Sequence, residues 1–377
     1  MVQQVKKLAI LGSTGSIGQQ TLDIVRKFPD KLKVVGLACG NNRVVFEDQL
    51  NEFNPKFAFS SGCFPLSSST KSMSMEEIAS QPDVDIVVVA TTGKAGLGPT
   101  ISALKAGKPV AIANKEILVM AGEIITSMVA QYGSTILPID SEHCAIWQCL
   151  QGESHKISRL LLTASGGPFF GMPLLRHADV TIDEALNHPT WKMGKKVTID
   201  SATLFNKGLE AIEARWLFNI PYDKIEIIIH RQSIIHSMIE FVDGSIKAQL
   251  STPDMHLPIQ YALLYPDRIA NDNIKPLNLT NIQTLTLEPV RYDDFPCLKL
   301  AVEAAKKGGT YPAVLCAADE VAVDLFIHRK IRFLQIAEII EKTLNLHKPI
   351  SKPSLDEIIE SDKRAEETAR KIAGKIS

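Results

Sequence analysis

Leu8-Ala9-Ile10-Leu11 runs without a break into Gly12-Ser13-Thr14-Gly15-Ser16-Ile17-Gly18, and helical periodicity begins directly after it. A strand that ends in spaced glycines and restarts as a helix leaves few folds open, because the next strand then returns parallel to the first by a crossover. The alternation recurs as far as about Pro138. Strands are expected over 7–11, 33–38, 84–90, 110–113 and 135–139, and helices over 17–28, 43–53, 97–106 and 122–132. Short β-branched runs alternating with helix-period segments predict α/β architecture, a parallel sheet with helices on both faces. Residues 60–75, rich in Ser with a Pro and a Gly, read as a surface loop.

Past His143 the pattern changes to closely spaced strands at 224–229, 233–241 and 245–250, with Asp243-Gly244 as a hairpin turn. An α+β region with a mostly antiparallel sheet is expected there. Residues 269–296 are polar and weakly periodic and read as a long connector. From Leu298 onward helical periodicity dominates, with Pro353-Ser354 as a late helix start. At 377 residues the chain exceeds the size at which single cores stop growing. The expected division is 1–139 (Rossmann-like), 140–268 (α+β), 269–296 (linker) and 297–377 (helical bundle).

Lys+Arg 41 against Asp+Glu 42 gives a formal charge of -1, without the basic excess that nucleic acid or an anionic membrane would require. Phosphate recognition must therefore be local. Six cysteines, at 39, 63, 144, 149, 297 and 316, form no CxxC pair and read as reduced thiols, so a cytoplasmic setting is expected. The apolar run after Lys6-Lys7 breaks at Gly12, too early for a signal-peptide core, and no run reaches the roughly 18 apolar residues of a membrane span.

Glycines in GxxGxxG spacing let backbone N–H groups approach a pyrophosphate at a helix amino end, which points to a dinucleotide. The second expected strand ends in Ala38-Cys39-Gly40-Asn41-Asn42-Arg43, without the carboxylate that binds a ribose 2′-OH, so NADPH is favoured over NADH. Arg43 is either a 2′-phosphate contact or a solvated charge at a helix start.

Asp140-Ser141-Glu142-His143 follows the apolar stretch 136–139. Strand alternation would send Asp140 and Glu142 off one face toward a single cation, and two hard oxygens suit Mg²⁺ or Mn²⁺. A second cluster, Asp200-Ser201-Ala202-Thr203-Leu204-Phe205-Asn206-Lys207-Gly208-Leu209-Glu210, precedes helical composition. With a helix over 206–217, Asn206, Lys207 and Glu210 share an edge, the first two and Ser201 suiting a phosphate and Glu210 a third metal ligand. Two alternatives stay open: Lys207 and Glu210 as an ordinary surface pair, and Glu213 as the ligand. Between the clusters lie Thr163-Ala164-Ser165-Gly166-Gly167-Pro168 and His188-Pro189-Thr190-Trp191-Lys192-Met193-Gly194, where Trp191 either caps a site in a lid or anchors its own loop. Asn114-Lys115-Glu116 follows a strand, where Lys115 can meet a substrate hydroxyl or an oxyanion.

With these segments in order, the chain resembles the 1-deoxy-D-xylulose 5-phosphate reductoisomerases, in GSTGSIG, ANKE, DSEH, SGGPF, HPTWKMG, DSATLFNKGLEAIEARWLFN and IIHSM. The resemblance implies an NADPH domain (1–139), a catalytic domain with a flexible lid (140–268), a carboxyl-terminal helical bundle and a homodimer. It implies Asp140, Glu142 and Glu210 as Mg²⁺ or Mn²⁺ ligands and, with Lys115, as the catalytic set. The phosphorylated sugar substrate would meet Lys115, Ser141, Glu142, Ser165, His188, Ser201, Asn206, Lys207 and Glu210. Dinucleotide contacts fall on Thr14, Gly15, Ser16, Ile17, Gly40, Asn41, Asn42, Asn114, Glu116 and Gly194, and the lid carries Trp191 and Met193. The implied reaction isomerises the substrate, by a retro-aldol/aldol route in preference to a concerted shift, and then reduces it to 2-C-methyl-D-erythritol 4-phosphate. Asn41 stands where a basic residue is common, and Cys316-Ala317-Ala318-Asp319-Glu320 replaces an Asn-Ala-Ala-Asn-Glu pattern.

Two rival classes are a semialdehyde-type dehydrogenase, with Cys144 beside His143 as its nucleophile, and a dinucleotide-sensing binding protein without turnover.

Overall fold

The computed structural model describes residues 5–62, 69–153 and 156–376. In chain order the elements are β1 (Lys6–Leu11), α1 (Ser16–Lys27), β2 (Leu32–Cys39), α2 (Arg43–Phe53), β3 (Phe57–Ser60), β4 (Lys71–Ser72), α3 (Met75–Ser80), β5 (Ile86–Val89), α4 (Leu97–Lys105), β6 (Val110–Ile112), α5 (Lys115–Tyr132), β7 (Ile136–Pro138) and α6 (Ser141–Cys149). Then come β8 (Ile157–Ala164), α7 (Ile182–Leu186), α8 (Lys195–Ala202), α9 (Phe205–Phe218), β9 (Ile225–Ile229), β10 (Ile235–Phe241), β11 (Ile246–Leu250), α10 (His256–Leu264), β12 (Glu288–Pro289), α11 (Pro296–Lys307), α12 (Tyr311–Ile327), α13 (Phe333–Leu346) and α14 (Leu355–Ile376).

Two compact units result. The first comprises Met1–Ile117, Glu123–Trp147 and Asp254–Pro276, the second Leu118–Gly122, Gln148–Pro253 and Leu277–Ser377. Packing thus departs from the expected boundaries at 139/140 and 268/269, since residues 140–147 and 254–276 pack with the first sheet. The physical reason is apolar: Trp147 of α6 meets the Tyr261 ring of α10 edge-on at 4.8 Å, and Ile259, Ala262, Leu263 and Leu264 join the core around Leu8, Ile10 and Leu22. Each Leu or Ile so buried contributes about 1.5–3 kcal/mol relative to exposure.

The first unit holds a seven-stranded sheet in the order β4-β3-β2-β1-β5-β6-β7, with every pair parallel. Apart from the two-residue edge strand β4, this is the doubly wound order whose direction reverses between β1 and β5, where such sheets hold ligands at their carboxyl ends. Three expectations shift here. Residues 57–60 and 71–72 extend the sheet where a loop alone was expected around 60–75, while 63–68 of that stretch, with Cys63, lie outside the described residues. Helix α5 adds a segment from Lys115 ahead of the expected helix at 122–132, with a kink at Ala121 (φ -132°) between them, and Asn114 caps the added segment by accepting from the Ile117 N–H at 3.2 Å. The third concerns Asp140 and Glu142: β7 ends at Pro138 and α6 begins at Ser141, so strand alternation does not aim them. The Asp140 carbonyl accepts the first helical bond, from the Cys144 N–H at 2.8 Å, and Glu142 sits in the first turn, where the helix dipole favours an anion.

The second unit holds a five-stranded sheet, β11-β10-β8-β9-β12, antiparallel at β11–β10, β10–β8 and β9–β12 and parallel at β8–β9. Its hairpin turns at Asp243-Gly244 as expected. The connector is less plain than its composition, because Glu288 and Pro289 pair with Ile229 and Ile228 to give the sheet an edge. Four helices, α11 to α14, complete the unit. No helix of the described residues is long and apolar enough to cross a membrane.

Candidate active site

At the carboxyl end of β1, the Gly12 and Ser13 N–H groups both donate to the Ala38 carbonyl at 2.9 Å, which bends the chain away from the sheet. Gly12 has φ +94°, and a Cβ there would lie 2.4 Å from the Ala90 carbonyl oxygen; a Cβ on Gly18 would lie 2.3 Å from the Gly12 oxygen. Only glycine allows strand, turn and helix to close this tightly. Gly15 and Ser16 are exposed, no side chain caps α1, and no acidic residue stands in its first turn, so its amino end is open to an anion. A residue that motif reading missed fixes the loop from below: buried Gln49 accepts from the Ser13 hydroxyl at 2.7 Å and donates to the Ser13 carbonyl at 2.9 Å. Gly40, Asn41 and Asn42 are exposed after β2, and the Asn41 Oδ1 accepts from the Ser61 hydroxyl at 3.2 Å. Asn114 is buried, its amide donating to the Thr91 and Gly93 carbonyls at 2.9 and 2.8 Å.

Lys115, at the start of α5, places its Nζ 2.8 Å from Asp140 Oδ2, with the two side chains 13% and 15% exposed. Buried His143 approaches the same oxygen at 3.3 Å. Burial pushes the Asp140 carboxyl up, but the Lys115 ammonium and His143 outweigh it and hold the group well below the usual carboxylate range. Asp140 is therefore an anion at neutral pH. The adjacent Ser141 hydroxyl donates to Glu142.

In the second unit, helix α9 carries Asn206, Lys207 and Glu210 as the 3.6-residue period requires. Lys207 and Glu210 are buried, and Nζ lies 2.5 Å from Oε2 and donates to the Thr163 carbonyl of β8, which removes the surface-pair alternative. Asn206 donates to the other Glu210 oxygen at 2.5 Å, while its own Oδ1 is buried without a hydrogen-bond partner among the described residues. Ser201 is buried at the end of α8. Ser165 Oγ and His188 Nε2 are 2.9 Å apart, and burial pushes the His188 pKa down to about 4. Trp191 and Met193 are half-buried, with the Trp191 ring 6.1 Å from that of His236, and Gly194 is the exposed residue before α8. Glu213 is also buried, so burial alone does not separate it from Glu210. Sequence reading missed a neighbouring cluster in which Lys196 lies 2.6 Å from Asp200 and 3.0 Å from Asp319, because nothing in its spacing links α8 to α12.

The thiol reading fails on geometry. Cys144 is fully buried with its Sγ against the Pro258 carbonyl, and burial raises the thiols of Cys39, Cys149 and Cys297 above their usual range, Cys149 to about 11.

A profile of the 1-deoxy-D-xylulose 5-phosphate reductoisomerases matches residues 8–122, and their C-terminal-domain profiles match 136–218 and 250–368. The 1-deoxy-D-xylulose 5-phosphate reductoisomerase of Caldanaerobacter subterraneus subsp. tengcongensis is 52% identical over 375 residues, covering 95% of this chain and 97% of its own. The chain belongs to the 1-deoxy-D-xylulose 5-phosphate reductoisomerase family. The reductoisomerase of Thermoanaerobacter pseudethanolicus is 51% identical, with 97% and 99% of the two chains covered. Among solved structures, the Zymomonas mobilis reductoisomerase in complex with NADPH superposes with a TM-score of 0.89 at 40% identity, covering 98% of this chain and 99% of that one. A reductoisomerase in complex with NADPH, fosmidomycin and magnesium gives 0.91 at 38% identity, with 98% of each chain covered.

Proposed function

We propose that this chain isomerises and reduces 1-deoxy-D-xylulose 5-phosphate to 2-C-methyl-D-erythritol 4-phosphate with NADPH and Mg²⁺ or Mn²⁺, a step of non-mevalonate isoprenoid synthesis. The observation that carries the reading is family membership along nearly the whole chain, on a sheet whose carboxyl ends bear an open helix amino end and the Lys115–Asp140 pair. The donor chemistry fits a hard divalent ion: Asp140 is held ionised, and Glu142 and Glu210 add carboxylate oxygens. Asp140, Glu142 and Glu210 would hold it. When bound, such an ion polarises the ketone and the neighbouring hydroxyl of the substrate, and NADPH supplies the hydride.

The protein's own groups bind, orient and exclude water. Thr14, Gly15, Ser16 and Ile17, with Gly40, Asn41, Asn42, Asn114, Glu116 and Gly194, serve the dinucleotide. Lys115 and Ser141 contact substrate hydroxyls, and Lys115 also holds Asp140 in place. Ser165, His188, Ser201, Asn206 and Lys207 take the phosphate end, so binding energy far from the reacting carbons fixes their geometry. Trp191 and Met193 form the apolar lid of the second unit. The enzyme is cytoplasmic and homodimeric in this reading.

The test is NADPH oxidation with 1-deoxy-D-xylulose 5-phosphate, with Mn²⁺ and with EDTA. Metal-dependent turnover is expected; its absence in well-folded, NADPH-binding protein would leave a sensor instead. Glu210→Gln is expected to lower metal affinity and kcat strongly while NADPH affinity stays near wild type, and wild-type turnover in that variant would defeat the ligand assignment.

A further inference from the structure

His188 is more than a contact residue. Its Nδ1 accepts two backbone bonds from the loop that follows it, from the Thr190 N–H at 3.1 Å and the Trp191 N–H at 2.9 Å. A backbone N–H can only donate, so Nδ1 carries a lone pair and no proton. The proton of the neutral ring is then on Nε2, which faces Ser165 Oγ at 2.9 Å, so the histidine donates and the serine accepts. Ser165 Oγ also accepts from the Gly167 N–H at 3.3 Å. Both hydroxyl lone pairs are thereby engaged, and the only bond left to Ser165 is the one its own proton makes.

We infer that His188 is a positioning residue that clasps the base of the Trp191 lid and, through its fixed tautomer, turns Ser165 into an obligate hydrogen-bond donor toward an anionic oxygen of the substrate. The inference rests on the proposed function for the identity of that oxygen, a phosphate oxygen, and on geometry alone for the clasp. Lid folding and substrate recognition then share one imidazole: if Thr190 and Trp191 leave, Nδ1 is released, the ring is free to change tautomer, and the donor direction at Ser165 is no longer imposed. Burial of the ring, which disfavours its charged form, keeps the neutral tautomer at neutral pH. A residue that only touched phosphate would need neither backbone bond.

Two substitutions separate the two ends of the ring. Asn at 188 keeps a side-chain acceptor near the Nδ1 position, where it can take N–H groups two and three residues on, as Asx turns do. Gln keeps an amide donor near the Nε2 position and has no such local acceptor. Amide hydrogen exchange at Thr190 and Trp191 is expected to stay within about twofold of wild type in His188→Asn and to accelerate roughly tenfold or more in His188→Gln, the effect of losing a hydrogen bond of ordinary strength. For the phosphorylated substrate, His188→Asn should raise KM roughly tenfold with a smaller change in kcat. In the wild type, the nitrogen-15 shifts of His188 should place the proton on Nε2 at neutral pH. A proton on Nδ1, or unchanged exchange in His188→Gln, would overturn the clasp. Exchange and tautomer are read without substrate, so a chain that lacked turnover would sink the proposed reaction and leave this inference separately tested. Should both variants fail to fold, the wild-type tautomer still decides.

Discussion

Lys207 and Glu210 show what a single buried pair demands. Both are nearly out of solvent, at 5% and 1% exposure of their side chains, so neither can lose its partner to water. Removing one partner of such a pair costs about 3–5 kcal/mol because the other charge is left unpaired. Lys207→Ala is therefore expected to lower the unfolding free energy by about that amount and to raise KM for the phosphorylated substrate, whereas adding Glu210→Ala should restore part of the stability. Denaturant melts of the single and double variants check this. His188 gives a pH dependence with a definite sign. Burial lowers its pKa to about 4 in the fold, against 6.5 in the unfolded chain, so protons are taken up on unfolding. Its contribution is whole above pH 6.5 and drains away as pH falls toward 4. Melts at neutral and mildly acid pH should show wild type losing more stability than His188→Asn; equal losses would count against the assignment. These residue types were legible in the sequence, but their burial was not, which is why a surface pair stayed open for Lys207 and Glu210.

Elements were legible where period and turn signals were local. Helix α2 runs from Arg43 to Phe53 as expected, and the Asp243-Gly244 hairpin turns where expected, since both signals are local. Local signals were misread where a cap hides inside a motif. Asn114 is also a buried N-cap, so a helical segment begins at Lys115, ahead of the kink at Ala121 and the expected start at 122, and sets Lys115 on its first turn. In the same way, α6 takes Glu142 off the strand and onto a helix amino end. The β1–α1 turn is closed so tightly that a Gly18 Cβ would stand 2.3 Å from the Gly12 oxygen and 2.5 Å from Ser13 Cα. Both atoms are backbone and cannot step aside. Gly18→Ala should therefore open the turn and weaken NADPH binding at least tenfold, about 1.4 kcal/mol, with metal affinity little changed; isothermal titration with each ligand separates the two.

At the scale of the molecule, a ligand that binds only the folded chain stabilises it by mass action, about 2.7 kcal/mol at a hundredfold excess over Kd. Mn²⁺ should raise Tm in the wild type and barely move it in Glu210→Gln, while NADPH raises it in both, as thermal melts at fixed protein concentration would show. The alternation of strand and helix periods, the glycine loop and the ordered motifs were enough to determine the doubly wound sheet, the mostly antiparallel second sheet, the helical tail and the family, because backbone period and turn chemistry are local properties that residue order encodes directly. Only tertiary packing decided that residues 140–147 and 254–276 join the first sheet, that Gln49 braces the glycine loop, and that Lys196 bridges Asp200 and Asp319. Those outcomes depend on which apolar faces and buried charges find each other across long stretches of chain, and desolvation energy, unlike periodicity, has no signature until the partner is in place.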